Sequence, residues 1–210
     1  MDINTLRKEY KRSALSAQTV EKNPLQQFET WLNEAVQSEI PDPTAMAFST
    51  IDENGFPQSR IVLLKYLDES GFVFFTNYKS QKGKSIEKNP SVSLLFFWPE
   101  LERQVRIVGY AAKTSPELSE KYFHSRPPES RIGAWASDQS SEIPNRKYLE
   151  ERFETLKAKF GFSPPLPDFW GGYRVNPVKI EFWQGRENRL HDRILYEKET
   201  EKWTIKRLAP

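Results

Sequence analysis

The strongest constraint on the fold is a series of short apolar runs punctuated by turn-forming clusters. Ala45 to Ile51 is followed by Asp52-Glu53-Asn54-Gly55, then Phe56 to Leu67, then Asp68-Glu69-Ser70-Gly71, then Phe72 to Thr76. Asn-Gly and Ser-Gly readily take the left-handed backbone of a tight reversal, so apolar runs bounded by them predict an antiparallel meander. A short polar helix is expected around Ser80 to Lys88, and two further strands, Ser91 to Trp98 and Leu101 to Thr114, flank Pro99-Glu100.

Helices surround this sheet. Asn23 is a suitable N-cap and Pro24 a suitable first helical residue, with Phe28, Trp31, Leu32, Ala35 and Val36 on one face of a helix to Ser38 that Pro41-Asp42-Pro43 terminates. Helices are also expected at about Pro116 to Ser125 and Asn145 to Phe160; in the second, Leu149, Phe153, Leu156 and Phe160 recur at helical spacing and are expected in the core. A Pro-rich loop, Ser163 to Asp168, precedes strands near Tyr173, Val178 to Trp183, Ile194 to Glu197 and Trp203 to Leu208. Strands, inserted helices and returning strands predict an α+β fold on a closed antiparallel barrel, not a parallel doubly wound sheet.

Composition narrows the function. Aromatic residues make up 13% of the 210 residues, enough for a substantial core, so a mean hydropathy of −0.72 reflects a charged surface. The net charge of +2 is too small for sequence-independent nucleic-acid binding. There is no apolar run near the ~20 residues that span a bilayer, and the N-terminus lacks a secretory apolar stretch, so a cytoplasmic protein without a membrane partner is expected. With no Cys and two His, metal and thiolate chemistry have little material. Neither GxGxxG nor GxxxxGK[ST] occurs, so any bound phosphate must be held by side chains.

Three groups of cations stand in costly places. Arg60 and Lys65 end the apolar run Ile61-Val62-Leu63-Leu64, where they either reach solvent or a carboxylate or face a bound anion. Their odd spacing points them to opposite faces of a regular strand unless a bulge intervenes. Arg189, His191 and Arg193 alternate, which one extended strand would project to a single face; the other reading is a solvated turn in which Asp192 offsets an arginine. Tyr122 and Arg126 are one helical turn apart, and Pro127-Pro128 places Ser130 on the turn beyond, either as a phosphate clamp or as a helix end where Arg126 satisfies carbonyls.

Ser59 to Lys65 (SRIVLLK), Leu101 to Val105 (LERQV), Tyr122 to Arg126 (YFHSR), Ile132 to Trp135 (IGAW), Phe169 to Gly172 (FWGG), and Ile180 to Gly185 (IEFWQG) with Arg189 to Arg193 (RLHDR) occur in one order. In these pieces the chain resembles the pyridoxamine 5′-phosphate oxidase family, from about Arg7 to Pro210. The resemblance implies an antiparallel split β-barrel that binds FMN, and oxidation of pyridoxine or pyridoxamine 5′-phosphate by dioxygen. It implies that Arg60, Ile61, Val62, Leu63, Leu64, Lys65, Phe75, Thr76, Gln81, Lys82 and Gln104 contact FMN, with Arg60 and Lys82 on its phosphate. Gln139, Ser140, Trp183 and Arg193 would complete the pocket across a homodimer interface.

For the substrate, the resemblance places Lys65, Tyr122, Arg126 and Ser130 on the vitamer phosphate, and Arg189, Leu190 and His191 beside the pyridine ring, with Arg189 and His191 catalytic. Arg7, Lys8, Glu9 and Tyr10 resemble a segment that folds over the substrate, giving an arm over 1–22 and one domain over 23–210. Two residues depart from the family pattern: Gln81 stands where Arg is common and Phe75 where Tyr is common, which removes one charged contact to the FMN phosphate. The alternatives are a split-barrel oxidase acting on another ring system, as in phenazine biosynthesis, and a non-catalytic module binding flavin or pyridoxal phosphate.

Overall fold

The computed structural model describes Tyr10 and residues 13–210; Arg7, Lys8 and Glu9 lie outside the described residues. The elements run α1 (Pro24–Gln37), β1 (Ala45–Ile51), β2 (Pro57–Leu63), β3 (Tyr66–Asp68), β4 (Gly71–Asn77), α2 (Gln81–Lys88), β5 (Ser91–Trp98) and β6 (Arg103–Lys113). They continue α3 (Pro116–Ser125), α4 (Pro128–Ala136), α5 (Arg146–Phe160), β7 (Trp170–Gln184), a 3-10 turn (Glu187–Arg189), β8 (Asp192–Glu199) and β9 (Lys202–Leu208). The strands form one antiparallel sheet in the order β2-β1-β5-β6-β7-β4-β3. β7 carries β4 along its first half, Trp170 to Val175, and β8 along its second, Lys179 to Gln184, so the sheet forks there as a split barrel does.

Sequence chemistry accounts for this frame. The Asn23 side chain accepts the Leu25 N–H at 2.9 Å, and α1 turns Phe28 and Trp31 inward. Phe28 meets Phe72 and Phe96 with ring centroids 4.9 and 4.8 Å apart, while Trp31 meets Phe182 at 5.2 Å. α1 therefore covers the inner face of the sheet, where Phe48, Phe74, Ile107, Val175, Ile180 and Tyr196 complete the core. Residues 13–22 lie against the C-terminal hairpin: Leu15 N–H donates to Asp192, and the Tyr196 hydroxyl donates to the Glu21 carbonyl at 2.6 Å.

Several sequence expectations are corrected. Phe56 to Leu67 is not one strand: Leu64 N–H still donates to Thr44 O beside β1, but Lys65 N–H donates to Val73 O of β4. The chain changes neighbours between those two residues, which resets the alternation and buries Leu64. Pro127-Pro128 does not simply end a helix, because Pro128 opens α4, where the N–H that proline lacks would have had no partner within the helix. The two strands expected near Tyr173 and Val178 are one, bulged opposite Val108/Gly109 to accommodate Pro177. In α5 no residue is buried; Leu149, Phe153, Leu156 and Phe160 are only half-covered, because α5 rests on α4 rather than on the sheet.

A cationic cavity and a separate aromatic cluster

A cavity of about 760 Å³ opens between the inner edge of β2, the end of β4, the start of α2, the end of α3, and α4 with the loop after it. Its floor holds a buried lysine. Lys82 lies in the first turn of α2, is 9% exposed, and donates from Nζ to Gln139 Oε1 at 2.9 Å, Thr76 Oγ1 at 3.2 Å and Ser80 Oγ at 3.4 Å. All three acceptors are neutral. Burial, and secondarily the charge of Arg60, pull the Lys82 ammonium down to about 8. Arg60 projects inward from β2 and donates from Nη1 to Thr50 Oγ1 and Gln58 O, each at 2.8 Å. Among the described residues neither cation has a carboxylate partner.

A second cationic position lies on the helical side. Arg126 caps α3, its guanidinium 4.8 Å above the Trp170 ring, and its Nη1 is buried with no hydrogen-bond partner. An unmatched charged donor in a protein interior is costly unless a ligand supplies the acceptor. Tyr122 stacks on Phe75 with centroids 4.0 Å apart, and both lie nearly parallel to Trp170. Burial raises the Tyr122 hydroxyl pKa while the neighbouring Arg126 opposes it, so Tyr122 is a neutral donor at physiological pH. Gly172 permits this wall: a Cβ there would come within 2.9 Å of the Phe75 ring. Ser130 and Lys65 line the same cavity.

Thus Arg60, Ile61, Val62, Leu63, Lys65, Phe75, Thr76, Gln81, Lys82, Tyr122, Arg126, Ser130, Gln139 and Ser140 meet around one space. The odd spacing of Arg60 and Lys65 does not separate them, owing to the change of strand neighbour. Gln139 and Ser140 line the cavity of their own chain, contrary to the expectation that they reach across an interface. Leu64 points into the core. Trp170, Gln58 and Ser137 also line the cavity and were not singled out from sequence, although Trp170 lies in the FWGG motif.

Gln104, Trp183, Arg189, Leu190, His191 and Arg193 do not line it. Gln104, Trp183 and Arg193 form a row across β6, β7 and β8 on the outer face of the sheet. Arg193 is held there by Glu181 at 2.8 Å and by the Ala209 carbonyl. The expected single strand through Arg189, His191 and Arg193 is not formed, because Asn188 and Arg189 take left-handed φ values of 55° and 61° and β8 starts only at Asp192. His191 packs against Trp183, with centroids 4.7 Å apart, and against Tyr10 at 5.6 Å.

A family profile described as pyridoxamine 5′-phosphate oxidase matches residues 32–160. A second, described as the pyridoxine 5′-phosphate oxidase C-terminal dimerisation region, matches residues 170–210. The chain belongs to the pyridoxamine 5′-phosphate oxidase family. It is 54% identical to a pyridoxine/pyridoxamine 5′-phosphate oxidase of Haemophilus influenzae over the full length of both chains. It is 53% identical to that of Polynucleobacter asymbioticus, covering 99% of each.

Among solved structures, PhzG from Burkholderia lata, in complex with tetrahydrophenazine-1-carboxylic acid, superposes with a TM-score of 0.90 at 28% identity, over 95% of this chain and 99% of that one. An FMN-binding protein related to pyridoxamine 5′-phosphate oxidase, from Nostoc punctiforme, gives 0.71 at 17% identity, over 91% of this chain and all of the other, and supports the split-barrel fold alone. Within the family frame, the cavity and the outer row are parts of one chain that do not meet in that chain. Among the described residues no group of His, Asp and Glu could hold a metal, and no helix is long and apolar enough to cross a membrane.

Proposed function

We propose that this chain is a cytoplasmic oxidase that converts pyridoxine 5′-phosphate or pyridoxamine 5′-phosphate to pyridoxal 5′-phosphate, with FMN as cofactor and dioxygen as the final acceptor. The alcohol plus dioxygen gives the aldehyde and hydrogen peroxide; the amine also consumes water and releases ammonia. The observation that carries this reading is a pair of uncompensated cationic positions in one cavity, Lys82 with Arg60 and Arg126 with Tyr122. A flavin mononucleotide and a phosphorylated vitamer each bring one phosphate, and the near-parallel rings of Phe75, Tyr122 and Trp170 suit planar ligands. The full-length relatives at 54% and 53% identity carry the same activity in their names.

The residues present fit FMN. Lys82 and Arg60 would hold its phosphate, which would replace the neutral acceptors they use now and stabilise the charged form of Lys82. When bound, FMN supplies the two-electron redox chemistry. Gln81, without charge, contributes at most a neutral hydrogen bond, weaker than an arginine there by about 1.5 kcal/mol. Arg126, Tyr122, Ser130 and Lys65 would take the vitamer phosphate and so fix its ring in the cavity.

Arg189 and His191 would hold the reacting carbon and the leaving proton. They cannot do so in their own chain, since they stand apart from its cavity. We therefore assign them, with Gln104, Trp183, Leu190 and Arg193, to the cavity of a second copy in a homodimer, consistent with the dimerisation region that contains all of them except Gln104. Tyr10 lies against the same cluster.

Anaerobic mixing with pyridoxine 5′-phosphate tests this directly: the flavin absorbance is expected to bleach, and air to restore it with stoichiometric peroxide. Arg126→Met is expected to keep its flavin while KM for the phosphorylated substrate rises about tenfold or more, the loss of one charge-assisted contact. Purification without flavin, or equal bleaching by pyridoxine lacking its phosphate, would overturn the reading. The ligand named with PhzG carries a carboxylate, which a guanidinium can also pair with, so the phenazine alternative is set aside on identity instead: 28% to PhzG against 54% and 53% to the pyridoxine/pyridoxamine 5′-phosphate oxidases.

A further inference from the structure

Gly185 follows β7 directly and is buried, its N–H donating to Glu102 O at 2.8 Å. A Cβ built on it would lie 2.7 Å from Tyr10 Cδ1, 2.8 Å from Cγ and 2.9 Å from Cβ, and these are the three nearest atoms. Carbon atoms in contact sit about 3.5–4.0 Å apart, so all three approaches are closed to a methyl group. No rotamer of Tyr10 relieves the third, because Cβ is fixed to the backbone. The backbone of Gly185 is outside the left-handed region, so the obstacle to alanine is space, and its three nearest atoms all belong to Tyr10.

What Tyr10 gains by this approach is a place against His191. The imidazole is held on three sides: Trp183 at 4.7 Å, the edge-on Tyr10 ring at 5.6 Å, and the Arg186 N–H, which donates to Nδ1 at 3.1 Å. Accepting at Nδ1 leaves the proton of the neutral ring on Nε2, the nitrogen free to face a ligand. Tyr10 also sits edge-on to Trp183, with centroids 5.7 Å apart, so one tyrosine braces both members of the cluster.

We infer that Gly185 is a positioning residue, whose missing side chain seats Tyr10 against Trp183 and His191 and thereby fixes the imidazole. The inference rests on the proposed placement of His191 beside the substrate ring, and its geometry stands apart from that placement. A residue that acts only through another loses its effect once the other is removed. The holoenzyme should therefore be compared as wild type, Gly185→Ala, Tyr10→Ala and the double variant.

Gly185→Ala is expected to lower kcat/KM for pyridoxine 5′-phosphate on the order of tenfold with flavin content unchanged. Tyr10→Ala should do the same, and the double variant should be no worse than Tyr10→Ala alone. The chain has only two histidines, so the Cε1 proton of His191 gives one of two assignable NMR signals of that kind. Each single variant should move that signal in the same direction as the aromatic rings shift, and the double variant should move it no further. Wild-type kcat/KM in Gly185→Ala, or effects that multiply in the double variant, would overturn the inference. An NMR result as expected in a protein that does not oxidise the vitamer would leave Gly185 in its role and remove the oxidase reading instead.

Discussion

At the scale of single residues, the sequence showed which cations were out of place but not how they were aimed. Arg60 and Lys65 were legible as misfits in an apolar run; that they share a cavity depends on a change of hydrogen-bond partner at Leu64–Lys65 that no alternation rule reveals. Lys82 is unremarkable in a polar helix and only the family resemblance marks it, yet its burial among neutral acceptors makes it a consequential charge of the site. Unfolded, it keeps its proton to about its ordinary value of 10.5; folded, burial lowers that to about 8. Its charge therefore opposes folding below pH 8, by about 3 kcal/mol, and the opposition fades as pH rises between the two values. A bound phosphate reverses the preference by stabilising the ammonium, so binding above pH 8 must take up a proton. FMN affinity, followed by flavin fluorescence on titrating the apoprotein, is expected to hold steady up to about pH 8 and then fall by up to about tenfold per pH unit. Lys82→Met should bind less flavin and lose that decline; an unchanged profile in the variant would remove Lys82 from the phosphate site.

At the scale of elements, turn chemistry was the reliable guide. β1, β5 and α3 have the predicted limits, and Asn23, Ser80 and Asn145 cap their helices through side-chain oxygens. Periodicity misled where it could not say what an apolar stripe faces. The stripe of α5 has helical spacing, but its helix packs on α4 at the rim, so Leu149, Phe153, Leu156 and Phe160 stay half-covered. Phe153→Ala is thus expected to cost about 1 kcal/mol in chemical denaturation, against about 3–5 kcal/mol for Phe96→Ala, whose ring is fully buried against Phe28 and Trp98. Equal losses would mean that the stripe is covered after all. α4 escaped notice because two prolines read as a stop, although the second is a proline in the position where it starts a helix.

At the scale of the whole molecule, the sheet has a second apolar face. Ile61 is 67% and Phe97 55% exposed, and Leu63, Val108 and Tyr110 are exposed with them. Register places these side chains together: Ala47 pairs with both Ile61 and Leu95, Ser93 with Val108, and Phe97 with Gln104. They lie opposite the face that carries Phe48, Phe96 and Ile107 into the core. From sequence the run Ser91 to Trp98 is apolar on both alternations, so it could not disclose which side a partner would cover. A contiguous exposed apolar face of this kind marks an interface, and the Gln104, Trp183 and Arg193 row stands on it, inside or beside the matched dimerisation region. Covering the face with a second copy would bury the apolar residues and bring that row to a cavity it cannot reach in its own chain. Phe97→Glu places a charge at the centre of the face without touching the cationic cavity, so it is expected to shift the protein from dimer to monomer in sedimentation analysis. If each cavity is completed by the other copy, flavin content should fall together with the dimer fraction, and high protein concentration should restore both. A monomer that retains its full flavin would show that the cavity binds the cofactor alone, and would take Gln104, Trp183 and Arg193 out of the site.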